Sequence, residues 1–101
     1  MAEDRPAAPD DGVGPVLAAG EATPAVVAAI RQLNEGVVVQ DRGSYLRILV
    51  RGRCVLTRQT LEGLLGAPFH FPADLERLMP SFKGRFAVSE EEATWTFQGR
   101  P

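Results

Sequence analysis

The chain has 101 residues, enough for one domain built on one modest hydrophobic cluster. Hydrophobic residues make up 45% and charged residues 24%, a balance that fits a globular protein and not a disordered one. A formal net charge of -2 disfavours a general nucleic-acid binder, and the single cysteine excludes an internal disulfide and fits a reducing compartment.

Residues 1–12 carry Glu3, Asp4, Asp10 and Asp11 against Arg5, with Pro6 and Pro9 between them. That composition cannot bury enough to order itself and predicts a flexible N-terminal tail, with the folded domain over residues 13–101. The tail has no apolar segment and is not expected to be a secretory signal. No apolar run approaches the roughly 20 residues of a membrane helix. A soluble, cytoplasmic protein is expected.

Val13-Gly14-Pro15-Val16-Leu17-Ala18 is a short apolar run, and Pro15 cannot donate to a central ladder, so an edge strand is expected. Thr23-Pro24 reads as an N-cap followed by proline at the first helical position. Val26, Val27, Ile30 and Leu33 then form one apolar stripe, predicting a helix over Pro24 to Leu33 with Gly36 as its stop. Val37-Val38-Val39 is a strand by propensity, and Arg42-Gly43-Ser44 turns the chain. From Tyr45 to Arg51, Leu46, Ile48 and Val50 alternate with Tyr45, Arg47, Leu49 and Arg51. This period of two sends the first set to the core and the second outward. Arg51-Gly52-Arg53 reads as a tight turn or bulge and Cys54-Val55-Leu56 as the returning strand, a β-meander.

Thr57 is the expected cap of a second helix, with Leu61, Leu64 and Leu65 inward and Gly66 and Pro68 ending it. Phe69-His70-Phe71 crosses to Pro72, the expected first residue of a short helix that holds Leu75, Leu78 and Met79. Phe82, Gly84, Phe86 and Val88 alternate with polar or small residues as a strand. Trp95 and Phe97 alternate with Thr94, Thr96 and Gln98 as the closing strand. Runs of adjacent strands indicate antiparallel pairing. The expected fold is therefore α+β, a single small domain with two to three helices packed against antiparallel strands.

Nothing in the chain supplies chemistry. A nucleophilic triad needs a base, and the one histidine, His70, lies between two phenylalanines before a proline. Cys54 sits in an apolar strand as inert core. One Cys and one His cannot make a zinc site, and Gly12-Val13-Gly14 lacks the lysine and strand-turn-helix context of a phosphate loop. Glu90, Glu91 and Glu92 read as a solvated connection rather than a cation site. No catalytic, metal or cofactor-binding residue is expected.

The arginines are more informative. Arg42, Arg47, Arg51, Arg53 and Arg58 fall between Asp41 and Thr60. Arg47 and Arg51 share the outward face of their strand with Tyr45. Arginine and tyrosine are enriched in protein interfaces, but such a face can equally be a solvated surface laced with weak ion pairs to Glu90–Glu92 or Asp41. On residue type alone, a small α+β interaction or adaptor domain stays open.

Several pieces in common order resemble one family, the effector (coupling or regulatory) proteins of bacterial multicomponent diiron monooxygenases, closest to the toluene and alkene branch. They are Val13-Gly14-Pro15-Val16; Asp41-Arg42, Tyr45 and Arg47-Ile48; and Ser81-Phe82-x-Gly84 with the aromatic closing strand. The most specific is Leu56-Thr57-Arg58-x-Thr60-Leu61-Glu62-x-x-Leu65-Gly66-x-Pro68-Phe69. The resemblance implies a cofactorless, non-catalytic subunit that is monomeric when free. It implies docking on a diiron hydroxylase, which takes electrons from a Rieske ferredoxin or a reductase, and modulation of that hydroxylase's turnover, coupling and regioselectivity. No nucleic acid and no membrane enters this reading. Exposure and residue type make Asn34, Tyr45, Arg47 and Arg51 the candidate hydroxylase contacts.

Overall fold

A computed structural model describes residues 10–99. Most of the expected N-terminal tail lies outside the described residues. The fold is α+β, in the order β1 (Gly12–Ala18), α1 (Thr23–Leu33), β2 (Val38–Asp41), β3 (Tyr45–Arg51), β4 (Arg53–Thr57), α2 (Arg58–Leu65), α3 (Ala73–Leu78), β5 (Ser81–Lys83), β6 (Arg85–Val88) and β7 (Glu92–Thr96). The strands form two antiparallel sheets, ordered β2-β3-β1-β5 and β4-β7-β6.

The two sheets share two bent strands. β3 and β5 flank β1 in the first sheet, and their continuations β4 and β6 flank β7 in the second. Each bend is a glycine, Gly52 at φ 78° and Gly84 at φ 103°, in the left-handed region where a side chain is strained. The Gly52 N–H donates to the Asp11 carbonyl at 3.0 Å, and the Gly52 carbonyl accepts from the Phe97 N–H at 2.9 Å. A Cβ on Gly84 would lie 2.7 Å from Val13 Cγ1 and 2.8 Å from the Thr96 carbonyl oxygen. Both bends therefore close against the start of β1 and the end of β7.

This arrangement corrects the expected meander. β2 and β3 do form a hairpin, but β4 pairs with β7 and not with β3. The run Phe82–Val88 is not one strand in one sheet, because Gly84 carries it across the seam. Phe97 lies beyond the end of β7. β1 is central rather than an edge strand. It tolerates Pro15 because its ladder to β3 is registered at Gly12–Val13 and at Val16–Ala18, with no pair at Gly14 or Pro15. Proline's missing N–H falls in that gap.

The core forms where the helices and the second sheet cover one face of the first. Val13 and Leu17 of β1, Ile48 and Val50 of β3, Val26, Ala29 and Ile30 of α1, Leu61 of α2, Leu75 of α3 and Trp95 of β7 are all buried. Trp95 lies against Phe86 with ring centroids 5.2 Å apart, and Phe86 lies 5.2 Å from Phe82. The aromatic row thus runs from the sealed core of the second sheet to the first sheet's edge.

The helix ends follow local chemistry with two shifts. Thr23 is the first helical residue of α1, not its cap, because its hydroxyl donates to the Ala18 carbonyl at 2.7 Å and ties the helix to the end of β1. α1 ends on Asn34 rather than at Gly36. Thr57 caps α2 as expected, accepting from the Thr60 N–H at 3.3 Å, and Gly66 closes it at φ 74°. Of the expected inner leucines, Leu61 is buried and Leu65 half-buried, whereas Leu64 is exposed. The i, i+4 pair faces the core and the residue between them turns to solvent. Pro72 precedes α3 as its cap position rather than starting it.

Gly84→Ala should destabilise the fold by about 2–4 kcal/mol, combining left-handed strain with the clash against Val13 and Thr96. Chemical denaturation would measure it. A loss below about 1 kcal/mol would mean the seam can open without cost to the rest of the fold.

Candidate functional site

The side of the first sheet opposite the core is open at its Tyr45–Arg47 end and buried at Gly12, Gly14 and Leu49. Antiparallel pairing puts facing residues on the same side, so the core side holds Val13, Leu17, Leu46 and Val50. The opposite side carries Tyr45, Arg47, Leu49 and Arg51 from β3, Gly12, Gly14, Val16 and Ala18 from β1, and Ser81 and Lys83 from β5. Every outward residue of β1 is small. A groove of about 550 Å³ opens over it, lined by Val16, Ala18, Ser44, Tyr45, Arg47, Pro80 and Ser81.

The candidate contacts divide on this geometry. Tyr45 is 39% exposed and Arg47 half-buried, and both line the groove. Arg51 projects from the same face, its side chain 77% exposed, with Nε 3.2 Å from Asp11 Oδ1. That pair is an ionic contact without hydrogen-bond alignment, and at this exposure it holds Arg51 weakly. Its acid is Asp11, not Asp41 or Glu90–Glu92. Leu49, expected to point outward, does lie on this side but is only 2% exposed, in a row between Val38 and Gly14.

Asn34 stands apart, at the end of α1. Its Nδ2 donates to the Ile30 carbonyl at 2.8 Å and to the Val55 carbonyl at 2.9 Å, and its Oδ1 accepts from the Val55 N–H at 3.0 Å. The carboxamide thus takes the place of a neighbouring strand at the open edge of β4 and fastens α1 to it. The expected contact residue is engaged in holding the fold. Arg58 is also structural, with Nη2 2.8 Å from Glu91 Oε2 and its own N–H bonded to the Glu91 carbonyl at 2.9 Å. Asp41 shapes the β2–β3 turn, Oδ1 accepting from the Gly43 N–H at 2.8 Å.

The groups with chemical potential are dispersed. Burial pushes the Cys54 thiol up to about 12, so the thiolate is inaccessible near neutral pH. His70 is exposed, and its backbone N–H donates to Asp74 Oδ2 at 2.9 Å. That bond, helped by Arg77, holds the Asp74 carboxyl below the usual range. Among the described residues no group of three or more His, Cys, Asp or Glu side chains could hold a metal ion, and no helix is long and apolar enough to cross a membrane.

The family model described as MmoB/DmpM matches residues 11–96. The chain belongs to the MmoB/DmpM family. It is 42% identical over 88 residues to the effector subunit of the alkene monooxygenase system of Xanthobacter autotrophicus (strain ATCC BAA-1158 / Py2), covering 85% of this chain and 86% of that protein. Its fold matches a chain of the phenol hydroxylase–regulatory protein complex with a TM-score of 0.76, over 86% of this chain and 99% of that one, at 18% identity. It also matches the soluble methane monooxygenase regulatory protein B with a TM-score of 0.64, over 97% of this chain and 74% of that one, at 22% identity. At these identities the two structures establish the fold alone.

The MmoB/DmpM fold explains the block from Leu56 to Phe69 residue by residue. Leu56, Leu61 and Phe69 are core. Thr57 and Thr60 make the cap, and Arg58 reaches Glu91. Glu62 Oε2 accepts from the Phe69 N–H at 2.8 Å, and the Gly66 N–H returns to the Glu62 carbonyl at 2.8 Å. The contacts of this block are internal to the fold. Sequence reasoning missed Val16, Ala18, Pro80 and Ser81 as groove residues. The signal was present in the alternation Gly12, Gly14, Val16, Ala18, which marks a strand face with no bulk.

Asn34→Ala should cost about 2–3 kcal/mol of stability, since it leaves the Val55 N–H and carbonyl without partners. A thermal or denaturant midpoint checks this. An unchanged midpoint with weakened partner binding would return Asn34 to the contact set.

Proposed function

We propose that this chain is the effector subunit of a multicomponent monooxygenase that oxidises alkenes or related hydrocarbons. The observation that carries the reading is the 42% identity to an alkene monooxygenase effector subunit along most of both chains. The partner is the system's diiron hydroxylase, with the Rieske ferredoxin and reductase acting on it indirectly. The protein carries no cofactor and performs no chemistry. It changes the hydroxylase's active site, turnover, coupling and regioselectivity by binding one conformation of that enzyme better than another.

The docking domain begins one residue earlier than expected, with β1 at Gly12, and the residues before it form an N-terminal extension. Tyr45, Arg47 and Arg51 are the hydroxylase contacts. Their projection from one sheet face supports this, and Asn34 contributes by fixing α1 on β4. The free protein is a cytoplasmic monomer, and the substrate is chosen by the hydroxylase pocket.

Titrating the hydroxylase and its electron-transfer partners with this protein should raise product formation until about one effector is bound per active-site protomer, with better coupling of electrons to product. Arg47→Glu and Arg51→Glu should each raise the half-saturating concentration by about 10-fold without unfolding the protein. Turnover indifferent to this protein, with no complex by calorimetry, would sink the effector reading and favour an adaptor domain unrelated to oxygenases.

A further inference from the structure

Strand edges decide where a small β protein can pair with another chain, because an edge strand carries backbone N–H and C=O groups with no ladder partner. The two sheets present four edges, β2, β4, β5 and β6. Three of them are guarded. Asn34 occupies the Val55 N–H and carbonyl on β4. β5 has three residues and follows Pro80, and its continuation into β6 is bent at Gly84, between Lys83 and Arg85. Proline, lysine and a sharp bend all oppose pairing. The β2 edge has no such guard. Val38-Val39-Gln40-Asp41 holds no proline, glycine or lysine, and among the described residues its backbone bonds β3 alone.

The register shows which of its groups are free. The β2–β3 turn is closed by the Arg42 N–H, which donates to the Tyr45 carbonyl at 2.9 Å. Opposed residues in an antiparallel ladder alternate between bonded and non-bonded pairs. Counting back from Arg42 and Tyr45, Gln40–Arg47 and Val38–Leu49 are bonded pairs, whereas Asp41–Leu46 and Val39–Ile48 are not. The N–H and C=O groups of Val39 and Asp41 therefore point away from β3, to the open edge. An extended segment matches such a row by adding a strand. A helix does not, because its own N–H and C=O groups are bonded internally.

The side chains beside the edge set the character of the segment. Val39 is half-buried, packed against the core in the row of Ile48. On the opposite side Gln40 stands in the row of Arg47, and Arg42 Nη2 donates to Gln40 Oε1 at 3.3 Å. Among the described residues no carboxylate pairs with Arg42 or Arg47. The carboxylate of β2 itself, Asp41, is taken up by the Gly43 N–H. One side of an added strand thus meets apolar surface and the other meets two cations.

We infer that the β2 edge takes up an extended segment of the hydroxylase as a fifth strand of the first sheet, with an apolar residue beside Val39 and a carboxylate facing Arg42 and Arg47. The inference rests on the effector reading and adds a contact made through the backbone, separate from the side chains of Tyr45, Arg47 and Arg51.

Residue-resolved hydrogen exchange on the full chain tests it. In the free protein the Val39 and Asp41 amides should exchange faster than those of Val38 and Gln40. In the hydroxylase complex both should slow by at least about 10-fold. Val39→Pro removes one free N–H and no ladder bond, whereas Val39→Ala trims the same side chain and keeps the N–H. Calorimetry with the purified hydroxylase should give a Kd about 10-fold weaker for Val39→Pro than for Val39→Ala. Should Val39→Pro not fold, the wild-type exchange rates decide. Val39 and Asp41 amides that keep their free rates in the saturated complex, or equal Kd values for the two folded variants, would overturn the edge inference and leave the effector reading standing. Absence of a wild-type complex would overturn both.

Discussion

The close approach at Gly84 is the constraint on which the rest of the fold depends. A backbone that turns there with φ 103° leaves no room for a side chain between Val13 and the Thr96 carbonyl. Because it turns, β5 can complete the first sheet and β6 the second without a loop between them. Gly52 does the same for β3 and β4 and is hydrogen-bonded to both Asp11 and Phe97. Two sheets built on shared strands cannot slide past one another, so a 101-residue chain gains rigidity that its small core alone would not give.

Rigidity at the seam has a consequence at the outward face. With β3 and β5 fixed on either side of β1, the distance between Arg47 and Ser81 is set by strand spacing and not by flexible loops. A partner meeting this face finds a preformed groove, and little ordering cost falls on the effector side of the encounter. The helices and the second sheet sit on the other side of the first sheet, against Val13, Leu17, Ile48 and Val50. Asn34 strengthens that division. By occupying the edge of β4 it removes one surface that could otherwise pair with a strand from elsewhere.

Sequence reading succeeded where structure is decided locally. The stripe Val26, Val27, Ile30 and Leu33 gave α1, and the cap Thr57 with the stop Gly66 gave α2, because each depends on residues a few positions apart. It failed where a long-range partner decides. Pro15 argued for an edge, yet its strand is central because Gly14 opens the ladder to β3 beside it. Cys54-Val55-Leu56 looked like the return of a hairpin because turn residues precede it, yet its partner is β7, some forty residues on. Leu49 obeyed the alternation that placed it outward and is buried all the same, which no periodicity could reveal. Of the candidate site, Tyr45, Arg47 and Arg51 were legible from the charge and period of one strand. The opposite wall, Pro80 and Ser81, comes from a strand that joins β1 only through tertiary pairing.

An effector without chemistry acts through a difference of affinities. If it binds two hydroxylase conformations equally, it shifts nothing however tightly it binds, and a shift from one dominant state to the other requires about 5.5 kcal/mol of preference. Diffuse surface charge does not supply such a preference, since exposed ion pairs like Arg51–Asp11 contribute about 1 kcal/mol or less. Rigid complementary surfaces can, because they reward one shape of a bound partner and clash with another. The bent strands fix the spacing of the groove walls, and Val16 and Ala18 leave the groove open between them. Under the proposed function, the rigidity imposed at Gly84 is what a small effector would use to discriminate between two shapes of a larger partner.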